Sequence, residues 1–160
     1  MRAPDELTED AAALARDIAD LAGKREVTVS VAESLTGGKL ACHLAAAPSS
    51  GDWFRGGVVA YASEVKFGLL GVPQGPVISE DCAAAMAHGA ARALGAEAAV
   101  AVTGVGGPDP QEGRPPGTVC FAATYDGTTT TRTQHFDGGP EQVLDRTVLH
   151  ALQMLRDLLG

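Results

Sequence analysis

At 160 residues and 16.3 kDa, the chain has the size of one ordinary domain, and its 45% hydrophobic and 20% charged residues exclude a disordered segment. Twelve Lys and Arg against twenty Asp and Glu leave a formal net charge of -8, which disfavours nucleic acid and anionic membrane surfaces as partners. A bound phosphate would have to be held locally, by backbone N–H groups, a helix N-terminus or a single Arg.

In chain order, Leu7, Ala11, Leu14, Ile18 and Leu21 recur at steps of four and three and predict an amphipathic first helix, with Gly23 as its stop. The β-branched run at 27–31 predicts a strand that enters an Ala-Glu-Ser-Leu-Thr-Gly-Gly turn at 32–38, with a helix following over 39–47. Residues 53–61 read as a strand or strand pair interrupted by Gly56 and Gly57. A short helix over 63–70 is closed by Gly71, and an alanine-rich helix opens at Ser79 and Glu80 and runs to about residue 94. The continuous apolar run at 98–102 predicts a central strand buried on both faces. Residues 117–125 and 128–136 flank Asp126 and Gly127, a dipeptide suited to a two-residue hairpin turn, and the Thr-rich second arm reads as an edge strand. Leu144, Val148, Leu152, Leu155 and Leu159 mark the last helix. The pattern predicts one α/β domain over 1–160: a three-layer α/β/α sandwich with a mixed, mainly parallel sheet and a C-terminal hairpin followed by a helix.

Cys42, Cys82 and Cys120 are odd in number and widely spaced, which argues against a disulfide framework and a zinc ribbon and suits a reducing cytoplasm. The four histidines stand too far apart for a helical metal pair, so neither a metal nor another cofactor is expected. The N-terminus, Met1 to Glu6, turns acidic at once and no run has the length of a membrane span, so no leader or membrane association is expected.

Two glycine-rich loops follow buried strands, where open α/β sheets bind ligands. In the first, Ser34 stands at a strand-to-helix turn, and the N–H groups of Thr36, Gly37 and Gly38 could meet an oxyanion or phosphate; an ordinary N-cap is the competing reading. The second, opening at Gly104, carries Pro108, Pro110, Pro115 and Pro116 and is too long for a simple connection; a mobile surface loop is the competing reading. It is not a dinucleotide fingerprint, since Asp109 takes the third glycine position, and Leu40 removes the hydroxyl a P-loop needs. Between the loops, Tyr61 and Lys66 form a polar cluster that would otherwise read as packing and surface residues. Ser63 and Lys66 also match a Ser-x-x-Lys pair, without the partner motifs of the serine β-lactamases. Cys42 beside His43 invites a nucleophile-base reading, but adjacent helical residues diverge and packing is the simpler role.

Taken together, the 32–38 turn, the strand segment ending at Tyr61 with Lys66 five residues on, Thr103-Gly104-Val105-Gly106-Gly107-Pro108 and Pro116-Gly117-Thr118-Val119 resemble the C-terminal domain family of the competence/damage-inducible protein CinA, in the family's order and over almost the whole chain. The resemblance implies a serine amidohydrolase that deamidates nicotinamide mononucleotide to nicotinic acid mononucleotide and ammonia. Ser34 would be the nucleophile, Lys66 the base and Tyr61 a helper. Substrate binding would fall to Glu33, Thr36, Gly37, Gly38, Thr103, Gly104, Gly106, Gly107, Pro108 and Arg146. It also implies a pyridine nucleotide as the small-molecule partner and a possible homodimer. A catalytically weak nucleotide- or metabolite-binding module of the same fold is the alternative. The chain departs from the family pattern at Ser63, where Asn is usual, and at Pro140 and Leu144, where two arginines are usual; Arg146, Arg132 or Arg114 would then have to substitute.

Overall fold

The computed structural model describes residues 4–160, with side chains from Glu6 onward, so the Met1 to Ala3 stretch of the expected N-terminus lies outside the described residues. Five strands form one open sheet in the order β2-β1-β3-β4-β5: β1 (Val29–Glu33), β2 (Phe54–Val59), β3 (Ala98–Gly104), β4 (Thr118–Tyr125) and β5 (Thr128–His135). β1 pairs in parallel with β2 and β3, and β4 pairs antiparallel with β3 and β5, so only β4 runs against the rest. The helices are α1 (Pro4–Arg25), α2 (Lys39–Ala45), α3 (Ser50–Trp53), α4 (Ser63–Leu70), α5 (Glu80–Leu94) and α6 (Pro140–Leu159).

Strand alternation divides the core by side-chain size. On one face Val29, Val31, Val100, Val102, Val119 and Phe121 meet the leucine-rich stripes of α1, α2 and α6. On the other, Ala32, Ala99, Ala101, Cys120 and Ala122 meet Cys82, Ala83, Met86, Ala87 and Ala90 of α5. Small side chains on both partners let α5 sit close to the sheet, and its contact with α4 is closer still. A Cβ at Gly89 would collide with the carbonyl oxygen of Leu70. We therefore expect Gly89→Ala to lower stability by about 1–3 kcal/mol despite alanine's better helix propensity, read as a shift of the urea midpoint at constant slope.

Several expected boundaries move. Gly23 does not stop the first helix, because the stripe continues through Ala22 and the helix runs on to Arg25; Glu26, at φ 55°, ends it. The Gly56-Gly57 interruption is a bulge within one strand: Val29 pairs with Phe54 and Ser30 with Gly56, leaving Arg55 as the extra residue. The four-residue α3 takes the turn and Trp53 from the expected strand. The hairpin turns at Asp126 and Gly127, with φ of 50° and 78°, as the dipeptide predicts.

His150 of α6 packs on Phe121 with ring centroids 4.5 Å apart, and its Nε2 is buried without a hydrogen-bond partner among the described residues. Burial, aided by Arg132, holds its pKa below the ordinary 6.5. The unfolded chain then binds a proton at higher pH than the folded one, so stability is lost as pH falls below about 6.5. His150→Leu is expected to lose less stability than the parent between pH 8 and pH 5, as measured by urea unfolding at both values.

Candidate active site

The chain reverses its direction of travel across the sheet after β2, crossing back over β1. The connection through α2 leads to β2 on one side, and the connection through α4 and α5 leads to β3 on the other. The carboxyl ends of β1 and β3 therefore flank a topological switch point, where a crevice opens. A cavity of about 420 Å³ lies there, with Ser34, Lys66, Thr103, residues 104–111, Pro140 and Leu144 among its walls. A larger depression, about 820 Å³, lies between the end of α1 and the Pro48 to Trp53 turn and holds none of the expected site residues.

Ser34 follows β1 directly, and Lys66 reaches it from α4, with Nζ 3.0 Å from Oγ. Thirty-two positions separate the two in the chain. Lys66 is only 2% exposed. Burial pulls its amine below the ordinary value of 10.5, against smaller opposing effects of Cys82 and Glu112. Burial also pushes the Cys82 thiol up to about 11, so near neutrality it is uncharged and leaves Lys66 unopposed on that side. A lysine held this way is a base matched to a serine hydroxyl. The bond goes to Ser34 and not to Ser63, which shares the cavity wall and the helix with Lys66.

Glu33 corrects its expected place. Its carboxylate is wholly buried and absent from the cavity lining. Oε1 accepts from Thr36 Oγ1 at 2.6 Å, from Leu40 N–H at 2.9 Å and from Gly38 N–H at 3.3 Å, while Oε2 accepts from Ala41 N–H at 3.0 Å. The carboxylate thus fills the positive N-terminus of α2 from below and fixes the turn that carries Ser34. Two of the three expected oxyanion donors are committed within the turn: Gly38 N–H goes to Glu33, and Gly37 N–H to the Ser34 carbonyl at 3.1 Å. Thr36, Gly37 and Gly38 do not line the cavity. Leu35 and Gly106 do, and among the described residues no protein acceptor takes their N–H groups.

From β3, Thr103 and Gly104 enter the wall, with Gly106, Gly107 and Pro108 beyond them. Thr103 is buried and donates its hydroxyl to the Val77 carbonyl at 2.6 Å. The N–H groups of Val77 and Ile78 both donate to the Glu112 carboxylate, at 3.0 Å and 2.9 Å. These bonds pin the proline-rich loop across the cavity, and nothing in the spacing of Glu112 marks it for that role. The root of the loop is fixed at Gly117, whose φ of 91° and contact with the Phe136 carbonyl exclude a side chain.

Two expected residues stand apart. Tyr61 lines the mouth but is 72% exposed, with no hydrogen bond to Ser34 or Lys66. Arg146 turns away, donating to the Asp137 carbonyl at 3.4 Å, and does not reach the cavity wall. Cys42 is exposed, contrary to its expected packing role, whereas Cys82 and Cys120 are buried. Among the described residues no three His, Cys, Asp or Glu side chains cluster as metal ligands, and no helix is long and apolar enough to cross a membrane.

This architecture has solved relatives. A competence-damaged protein (CinA) superfamily protein from Klebsiella pneumoniae superposes with a TM-score of 0.89 at 32% identity, covering 93% of this chain and 97% of that one. The competence/damage inducible protein CihA from Agrobacterium tumefaciens gives 0.89 at 33% identity, with 94% and 96% covered. Among curated relatives, a CinA-like protein of Frankia casuarinae is 41% identical over 142 residues, 86% of this chain and 33% of that protein. A CinA-like protein of Mycobacterium tuberculosis is 39% identical over 162 residues, 96% of this chain and 37% of that protein. The chain thus spans about a third of the length of these curated relatives. The model of the CinA C-terminal domain matches residues 11–159. On that match, with the same fold at over 30% identity in the solved relatives, the chain belongs to the CinA C-terminal domain family.

Proposed function

We propose that the protein is a serine amidohydrolase in which Ser34 attacks the carbon of a carboxamide, with Lys66 as its base. The observation that carries this reading is the 3.0 Å approach of a buried lysine amine to a serine hydroxyl at the sheet's switch point. Neutral Lys66 accepts the Ser34 proton as Oγ bonds to the carbonyl carbon, and the N–H groups of Leu35 and Gly106 face the oxyanion that develops. The Lys66 ammonium then protonates the amide nitrogen, the C–N bond breaks, and ammonia leaves an ester on Ser34. Water attacks that ester and gives its proton to Lys66, which passes it to Ser34 Oγ as the C–O bond breaks, releasing the carboxylic acid and restoring the serine hydroxyl and the neutral amine. Glu33 acts as a positioning residue beneath the turn and does not contact substrate.

In the form the resemblance implies, the substrate is nicotinamide mononucleotide and the product nicotinic acid mononucleotide. The exposed Tyr61 favours a second reading, a binding module of the same fold in which that ring stacks on a planar ligand. Ammonia release from pyridine carboxamides by the parent and by Ser34→Ala separates the two. Turnover lost in the variant supports the hydrolase. Ligand-induced stabilisation of the parent without product supports the module.

A further inference from the structure

One wall of the cavity hangs on a single side chain. Residues 104–111 supply that wall, in a stretch that leaves β3 and returns as β4. Its root is tied by backbone bonds: Val105 N–H donates to the Thr118 carbonyl at 2.9 Å, and Gly117 N–H to the Val105 carbonyl at 2.8 Å. Its tip is a turn closed on itself. Gln111 and Arg114 exchange backbone bonds at 3.1 Å and 2.7 Å around Glu112 and Gly113, which lie at φ of 51° and 72°.

Among the described residues, every hydrogen bond that joins 106–114 to another part of the chain comes from Glu112. Its Oε1 accepts from Ile78 N–H at 2.9 Å and its Oε2 from Val77 N–H at 3.0 Å. Val77 and Ile78 also line the cavity, on the link between α4, which carries Lys66, and α5. The link is held from its other side by Thr103 of β3, whose hydroxyl donates to the Val77 carbonyl at 2.6 Å. A carboxylate that takes two successive N–H groups makes a charge-assisted contact. Glu112 is exposed, so this contact competes with water and contributes little to global stability. What depends on it is local: without it the stretch beyond Gly106 is bonded only to itself, while Gly106 keeps its place through the root bonds at Val105.

We propose that Glu112 is a positioning residue for the reaction: by fastening the loop tip to the 77–78 link it completes the wall against which substrate binds, and so sets KM and not kcat. This inference rests on the amidohydrolase reading. A wall that holds substrate equally in the ground state and the transition state acts on KM alone.

The test compares the parent with Glu112→Ala and Glu112→Gln in ammonia release from nicotinamide mononucleotide, with hydrogen exchange of the backbone amides alongside. Alanine at φ 51° carries the same backbone cost as glutamate, so the substitution isolates the carboxylate. We expect KM to rise about fivefold in Glu112→Ala with kcat within about twofold, the size of one lost hydrogen-bonded contact. Glutamine keeps an acceptor oxygen without the charge, so its KM should lie between the two. The Val77 and Ile78 amides should exchange about tenfold faster in the alanine variant, with β3 and α5 unchanged. An unchanged KM, or a fall in kcat equal to the fall in kcat/KM, would overturn the inference and leave the Ser34 and Lys66 chemistry standing. Should the parent release no ammonia, the hydrolase reading fails, and the calorimetric Kd for nicotinamide mononucleotide takes the place of KM. Binding about fivefold weaker in Glu112→Ala upholds the role of Glu112; equal binding, or no binding by the parent, refutes it.

Discussion

Lys66→Met is expected to lower amide turnover by about a thousandfold, within the range for loss of a general base, while leaving the protein at least as stable at pH 7. The two effects have one cause. Lys66 is buried 3.0 Å from Ser34, where its amine is held below 10.5 by loss of solvent. In its protonated form it is a charge in a poor solvent, and the unfolded chain holds that proton more readily than the folded one. Between the folded and unfolded pKa values the unfolded state therefore binds more protons, so stability rises with pH through that interval, and below it the full cost of the buried ammonium remains. Methionine has similar length and no charge, so it removes both the cost and the slope. The parent's kcat/KM should rise with pH and level off above the Lys66 pKa, since only the neutral amine accepts the Ser34 proton. Turnover by the variant, followed by ammonia release beside thermal melts at pH 7, tests both halves. Activity within tenfold of the parent would contradict the assigned base.

Glu33→Ala is expected to be the most destabilising single change near the site, at about 3 kcal/mol or more. Its carboxylate satisfies three backbone N–H groups and one hydroxyl, all within 3.3 Å. Removing it leaves those donors in a region where the carboxylate has no contact with solvent, and it removes the negative charge from the start of α2. Glu33→Gln keeps the shape, but its amide can present oxygen to the three donors on one side only by facing its NH2 group toward Ala41 N–H. We expect a smaller loss, about 2 kcal/mol, with turnover reduced because the Ser34 turn shifts. Urea unfolding at constant slope measures both. A loss below about 1 kcal/mol for the alanine variant would remove Glu33 from its role as anchor of the turn.

The strands were legible because their patterns were strong and unambiguous. The apolar run at 98–102 lies in the central β3, and the Thr-rich run after Asp126 and Gly127 is the edge strand β5. The short elements were not, because α3 has only four residues and no periodicity to read. Gly23 misled as a stop since packing of Ala19 and Ala22 against the core outweighs one glycine's helix cost.

At the site, the order of motifs points to Ser34 and Lys66, but only the tertiary fold, which carries Lys66 on α4 back to the turn after β1, brings them together. No local rule distinguishes Lys66 from a surface lysine. Glu33 carries a sequence signal of its own: a carboxylate closing an apolar strand just before a helix start has unpaired N–H groups to satisfy. Glu112 carried none, because its bond to Val77 and Ile78 depends on how a long proline-rich loop folds back. Tyr61 was placed by resemblance alone, and the backbone after β2 leaves its ring at the mouth, away from the pair.

The most direct measurement is the mass of the enzyme stopped in acid during turnover of a pyridine carboxamide, followed by digestion and assignment of any acylated peptide. One acyl group is expected on Ser34, absent from Ser34→Ala, with Ser63 and Cys42 unmodified. Ammonia release with the acyl group on any other side chain, or undiminished release by Ser34→Ala, would contradict the assignment of Ser34 as nucleophile.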